Sequence, residues 1–124
     1  MKINFHSIQT HNGNKEIIKF TSQLKLKKNK QTTFLEFLNP NNNFFIKIYF
    51  HKEKILIFHG ENKIELILNK MISNKIKTPY GDFILLFLLN FFKKNENIFL
   101  IKYSSFYSNN EKAYDFELKL EIKN

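Results

Sequence analysis

Residues 114–122 read Tyr-Asp-Phe-Glu-Leu-Lys-Leu-Glu-Ile, and their side chains sort by parity without exception. Tyr114, Phe116, Leu118, Leu120 and Ile122 fall on one side, Asp115, Glu117, Lys119 and Glu121 on the other. A period of two is the mark of a β-strand with one dry and one wet face, whereas a helix needs apolar residues three and four apart. The period recurs in 16–27, where Ile18, Phe20, Ser22, Leu24 and Leu26 alternate with Lys19, Thr21, Gln23, Lys25 and Lys27, and in 44–51 through Phe44, Ile46, Ile48 and Phe50.

Short polar segments separate these runs. Asn12-Gly13 tolerates the positive φ of a tight hairpin. Lys28-Asn29-Lys30, Asn39-Pro40-Asn41-Asn42-Asn43, Lys52-Glu53-Lys54, Gly60-Glu61-Asn62, Lys93-Lys94-Asn95-Glu96-Asn97 and Ser108-Asn109-Asn110-Glu111-Lys112 act in the same way. Residues 3–11 carry Ile3 and Phe5 on one parity and Ile8 and Thr10 on the other, which predicts a bulge near His6 and Ser7. The phase of 31–38 is ambiguous, because Phe34, Leu35 and Phe37 span both parities. Residues 69–77 break the period and are expected to hold a helical turn or a crossing loop.

Thr78-Pro79-Tyr80-Gly81 punctuates the chain before its longest apolar run, Phe83 to Phe92. The run reads as a central strand with Phe83, Leu85, Phe87, Leu89 and Phe91 inward, and it is about half as long as the ~20 residues of a membrane-spanning helix. The whole pattern, residues 1–124, predicts a single all-β domain: an antiparallel up-and-down barrel of about eight strands, since closure removes edges on which such strands aggregate.

The formal net charge of +9 raises the prospect of a nucleic-acid partner. Every basic residue other than histidine is lysine, however, and Lys, Asn, Ile and Phe make up more than half the chain. A/T-rich coding produces that composition in a protein of any function, and the absence of arginine removes the commonest specific contact to guanine. Nucleic-acid binding is therefore a minor expectation, resting on Lys19, Lys25, Lys27, Lys28 and Lys30 with Phe45 and Tyr49 as stacking platforms. The lack of cysteine and of an apolar leader places the protein in the cytoplasm, with no membrane span.

The N-terminal strand, the Asn12-Gly13 hairpin, the return strand Glu16 to Phe20, the central Thr78-Pro79-Tyr80-Gly81 and the closing Asp115-Phe116-Glu117-Leu118 resemble the YwiB-like family of bacterial proteins across nearly the whole chain. The resemblance implies a calycin-like β-barrel, related in architecture to lipocalins, with eight strands and no assigned activity. One departure stands out: the strand after the Tyr-Gly turn tends to be polar on its outer face in that family, whereas here Ile84, Leu86 and Leu88 occupy that parity. They form a candidate interface for a homodimer.

No catalytic pattern emerges. His6, His11, His51 and His59 lack metal-ligand spacing, no serine sits in a Gly-x-Ser-x-Gly turn, and the three glycines make no phosphate loop. No enzyme activity, metal or cofactor is expected. An eight-stranded barrel is just wide enough to be filled by side chains or to hold one small ligand, and 15 phenylalanines favour filling. A cavity would have aromatic walls with a few hydroxyls, suited to a small apolar or amphipathic molecule. The polar or amphipathic residues on inward parities, Ser22 beside Phe20, Tyr103 and Tyr114, are its candidate lining.

Overall fold

The computed structural model describes the whole chain, Met1–Asn124. It contains ten strands and no helix: β1 Lys2–His11, β2 Asn14–Lys28, β3 Thr32–Asn39, β4 Phe44–His51, β5 Lys54–His59, β6 Asn62–Ile67, β7 Met71–Thr78, β8 Gly81–Lys94, β9 Ile98–Phe106 and β10 Lys112–Lys123. All ladders are antiparallel, in the order β6-β5-β4-β3-β2-β1-β10-β9-β8-β7. Neighbours in the sheet are neighbours in sequence except β1 and β10, so the two ends of the chain pair in the middle. β2 pairs with β1 through its first ten residues and with β3 from Leu24 onward, turning a corner that curls the sheet.

The curled sheet brings β6 and β7 together, and asparagine side chains hold the seam. Asn74 Nδ2 donates to Glu65 O at 3.0 Å while its Oδ1 accepts from Glu65 N at 2.9 Å. Asn62 does the same with Lys77, at 3.2 Å to its carbonyl and 2.8 Å from its N–H. A primary amide carries a donor and an acceptor side by side, as a peptide group does, so each asparagine stands in for a ladder step. The barrel is nearly closed.

The expectation of about eight strands is corrected to ten, and that of a helical turn at 69–77 to a strand, β7. Alternation there is real: Ile72, Asn74, Ile76 and Thr78 share one face. Asn74, 8% exposed, takes an inward position normally given to an apolar residue, because the seam needs its amide. β1 has no bulge either. It pairs in unbroken register with both neighbours, so Ser7 and Gln9 follow Ile3 and Phe5 to the inside and Ile8 faces out.

The Phe83 to Phe92 run forms β8, but not as the central strand; β8 lies between β9 and the seam strand β7. A register shift at Asn90 reverses its parity, so Phe92 stacks inward on Phe50 at 5.4 Å while Phe91 is exposed. Phe83 also stands out at the strand's start. In β3 the ambiguous phase resolves with Leu35 and Phe37 fully buried and Phe34 outside. The turn Thr78-Pro79-Tyr80-Gly81 is a two-residue hairpin, tied by Thr78 Oγ1, which donates to Gly81 O at 2.8 Å and accepts from Tyr80 N at 3.2 Å. At Asn12-Gly13 both residues adopt positive φ, 50° and 79°, as the sequence anticipates.

In an up-and-down barrel alternate turns gather at opposite ends. The end holding the β2–β3, β4–β5 and β8–β9 turns is packed solid: Phe50 stacks on Phe99 at 4.6 Å, over fully buried Ile101, Leu66 and Leu120. The other end is different.

Candidate binding cavity

Toward the β1–β2, β3–β4, β5–β6, β7–β8 and β9–β10 turns the lumen widens into a cavity of about 300 Å³. Its walls are mostly aliphatic and aromatic, from Ile46, Ile48 and Ile57 on one side to Phe87, Tyr103 and Phe116 on the other. Parity sends these side chains inward, and nothing longer reaches across because β1 supplies Ser7 and Gln9, and β9 supplies Ser105, at levels where the opposite end has phenylalanine and isoleucine. Thirteen of the 18 lining residues are hydrophobic, and Ser7, Gln9, Asn39, His59 and Ser105 complete the wall. No lysine, aspartate or glutamate is among them.

Two hydroxyls stand out. Ser105 is 1% exposed and its Oγ has no hydrogen-bond partner. Tyr103 is 6% exposed, and burial alone pushes its hydroxyl well above the ordinary tyrosine value. Its ring is sandwiched by stacking on Phe116 at 4.5 Å and leaning on Phe87 at 6.1 Å, which fixes the hydroxyl in place. A buried polar atom without a partner costs roughly 1–3 kcal/mol, so a site that keeps one gains from any ligand able to bond it. His59 lies at the wall beneath the β5–β6 turn, 3.1 Å from Asn42 Nδ2 through Nε2, and burial lowers its pKa. Its Nε2 therefore accepts from the amide and the ring is neutral at pH 7.

Of the four residues predicted to line the lumen, the structure brings Tyr103 and Tyr114 into it. Tyr114 stacks on His11 at 4.6 Å, and His11 Nδ1 donates to Ala113 O. Phe20 and Ser22 do point inward but lie deeper than the cavity. Phe20 stacks on Phe5 at 4.7 Å and leans on Phe37, filling space beneath the floor, and half-buried Ser22 pairs with Ile3 in the packed half. Sequence reading missed Ser7, Gln9, Asn39, His59 and Ser105. Their signal was a polar residue continuing an inward parity: Ser7 and Gln9 after Phe5, Asn39 after Phe37, His59 after Ile57 and Ser105 after Tyr103.

Ile84, Leu86 and Leu88 do share the outer face of β8. Ile84 is 63% exposed, while Leu86 and Leu88 are half-covered beside Phe106, Ser104 and β7. Of the predicted nucleic-acid residues, Lys27, Lys28 and Tyr49 converge with Phe34 on one groove. Lys19 and Lys25 lie farther up the outer face of β2, and Phe45 pairs with Leu38 toward the mouth.

Charge is divided between the two ends. Around the mouth turns Lys15, Lys63, Lys77 and Lys112 are matched by Glu16, Glu61, Asp82 and Glu111. At the packed end Lys27, Lys28 and Lys30 follow one another on β2 and its turn. Lys52, Lys54 and Lys70 occupy the next two turns, and Lys93, Lys94, Lys2 and Lys123 complete the end; against them stand Glu53, Glu96 and the ion-pair partners Glu65 of Lys54 and Glu121 of Lys123. No three His, Cys, Asp or Glu side chains converge anywhere. No helix is long and apolar enough to cross a membrane.

No family model matches the chain. It is 30% identical over 99 residues to an "Uncharacterized protein" of Mycoplasmopsis pulmonis (strain UAB CTIP), covering 78% of this chain and 79% of that one. In structure it superimposes on the crystal structure of the ywiB protein from Bacillus subtilis with a TM-score of 0.70, over 99% of this chain and 91% of the other, at 11% identity. The chain thus belongs to one family with the Mycoplasmopsis pulmonis protein, and its barrel has the YwiB-like fold that the sequence resemblance implied.

Proposed function

We propose that the barrel binds one small, uncharged, largely apolar molecule in the cavity, much as lipocalins hold a ligand in the lumen, and that it does so without transforming it. The unpartnered Ser105 Oγ, buried in the wall of an apolar cavity, carries this reading. With about 300 Å³ the cavity lies at the lower end of ligand sites. At ~30 Å³ per water-sized group it suits a molecule of about ten non-hydrogen atoms. A charged ligand would lose its hydration against a wall with no counter-ion. A hydroxyl or carbonyl on the ligand would meet Tyr103 and Ser105.

The test is a panel of neutral aromatic and aliphatic compounds, each read by thermal shift on the wild type and on Ser105→Leu, which fills the cavity. The expected result is stabilisation by some neutral compounds, none by carboxylates of the same shape, and no shift of either kind in the filled variant. Equal shifts in both proteins would sink the reading.

Self-association through the outer face of β8 is the second reading, favoured by the exposure of Ile84. Both edges of β8 are already paired, so such an interface would be face to face. A monomer in sedimentation at high concentration would argue against it.

A further inference from the structure

A/T-rich coding accounts for how many lysines the chain carries but not for where they stand. The mouth is balanced while the packed end gathers ten lysines against four carboxylates, Glu53, Glu65, Glu96 and Glu121. Two of those lysines feel each other: the Lys94 pKa is lowered first by burial and then by the charge of Lys28. No acid relieves them, since the ion pairs of the chain are Lys54–Glu65, Lys75–Asp82, Lys112–Asp115 and Lys123–Glu121. Lys94 instead donates to Thr33 Oγ1 at 3.3 Å. Beside them, on the outer face, a groove of about 300 Å³ is lined by Lys27, Lys28, Asn29, Thr32, Phe34 and Tyr49. Its two aromatic rings lie 4.6 Å apart. A cluster of cations without acid partners next to half-buried aromatic rings is complementary to phosphates spaced along a chain of flat bases.

We propose that the packed end of the barrel binds single-stranded nucleic acid, with Phe34 and Tyr49 stacking a base and Lys27, Lys28 and Lys94 taking its phosphates. The site is independent of the cavity and lies at the opposite end from its mouth. Without arginine the contacts are to backbone and base faces rather than base edges, so binding tolerates sequence and weakens steeply with salt. An anionic membrane is the less suitable partner, because three of the four turn tips at this end, Asn29-Lys30-Gln31, Lys52-Glu53 and Asn95-Glu96-Asn97, offer no apolar side chain to insert, which leaves the scattered Met1 and Met71.

Fluorescence anisotropy of the full chain with a labelled oligo(dT) of about 12 nucleotides, within the usual footprint, tests this, with heparin as a polyanion without bases. Binding at low salt should weaken at least about tenfold in Lys28→Glu/Lys94→Glu. The charge-matched mouth pair Lys15→Glu/Lys77→Glu should leave it unchanged within about twofold, because those lysines stand at the opposite end of the barrel from the groove. Tyr49→Leu should weaken oligo(dT) at least about fivefold and leave heparin unaffected, as expected when stacking is lost, while Tyr49→Phe keeps the ring and full binding. Equal effects of the two charge pairs, or parallel loss of oligo(dT) and heparin in Tyr49→Leu, would overturn the proposal. So would no oligo(dT) binding at low salt, or tighter retention by phosphatidylglycerol vesicles.

Discussion

Ser105 and Tyr103 place two buried hydroxyls in the wall of a mostly apolar cavity, and each has a measurable consequence. Tyr103→Phe removes a polar atom that burial already disfavours, so it should not lower the denaturation midpoint, yet it should weaken any ligand that bonds the hydroxyl. His59 gives the wall a pH dependence. Its folded pKa lies below its ordinary 6.5, so on acidification the unfolded chain takes up a proton first. Stability is therefore full above about pH 6.5 and falls as pH drops through the folded pKa. Denaturant midpoints measured down to pH 5 should show this fall in the wild type and a smaller one in His59→Gln. Neutral ligands should weaken over the same range, as a cation appears at the wall.

At the scale of elements the seam between β6 and β7 is the place where backbone pairing gives way to side chains. Asn74→Ala would leave the Glu65 N–H and C=O without partners in a half-buried position, at a cost of about 1–3 kcal/mol. Asn62→Ala, at an exposed step, should cost less, since water replaces the amide; urea denaturation of the two variants checks the ordering. The same asparagine explains why β7 was hidden in sequence: an inward polar residue breaks the apolar alternation on which strand reading depends. β8 was legible as a strand but not in its second half, where the bulge at Asn90 exchanged Phe91 for Phe92. A bulge has no signature in a run that is apolar on both parities. β10 was legible from Tyr114 to Ile122, where its two parities differ at every step, but not at its start, where a register shift at Lys112–Tyr114 buries Ala113.

The whole molecule is a barrel with two unlike halves, one filled by phenylalanine and isoleucine and one hollow. Phe99→Ala in the filled half should cost about 3–5 kcal/mol in chemical denaturation, as a buried ring is removed without room to collapse. Ser105→Leu in the hollow half should leave stability equal or higher, since it adds apolar volume where space exists. Composition alone could not reveal this division. Fifteen phenylalanines suggested a filled lumen, but Phe34, Phe44, Phe45, Phe58, Phe83, Phe91 and Phe106 face outward or stand at the rim, and Phe87 and Phe116 line the cavity instead of filling it.

The most direct measurement is native mass spectrometry of the protein purified from its own host, beside Ser105→Leu prepared in the same way. The cavity reading predicts a single small neutral adduct on the wild type, released on unfolding and absent from the filled variant. A wild-type mass equal to that of the bare chain, or the same adduct on both proteins, would contradict it.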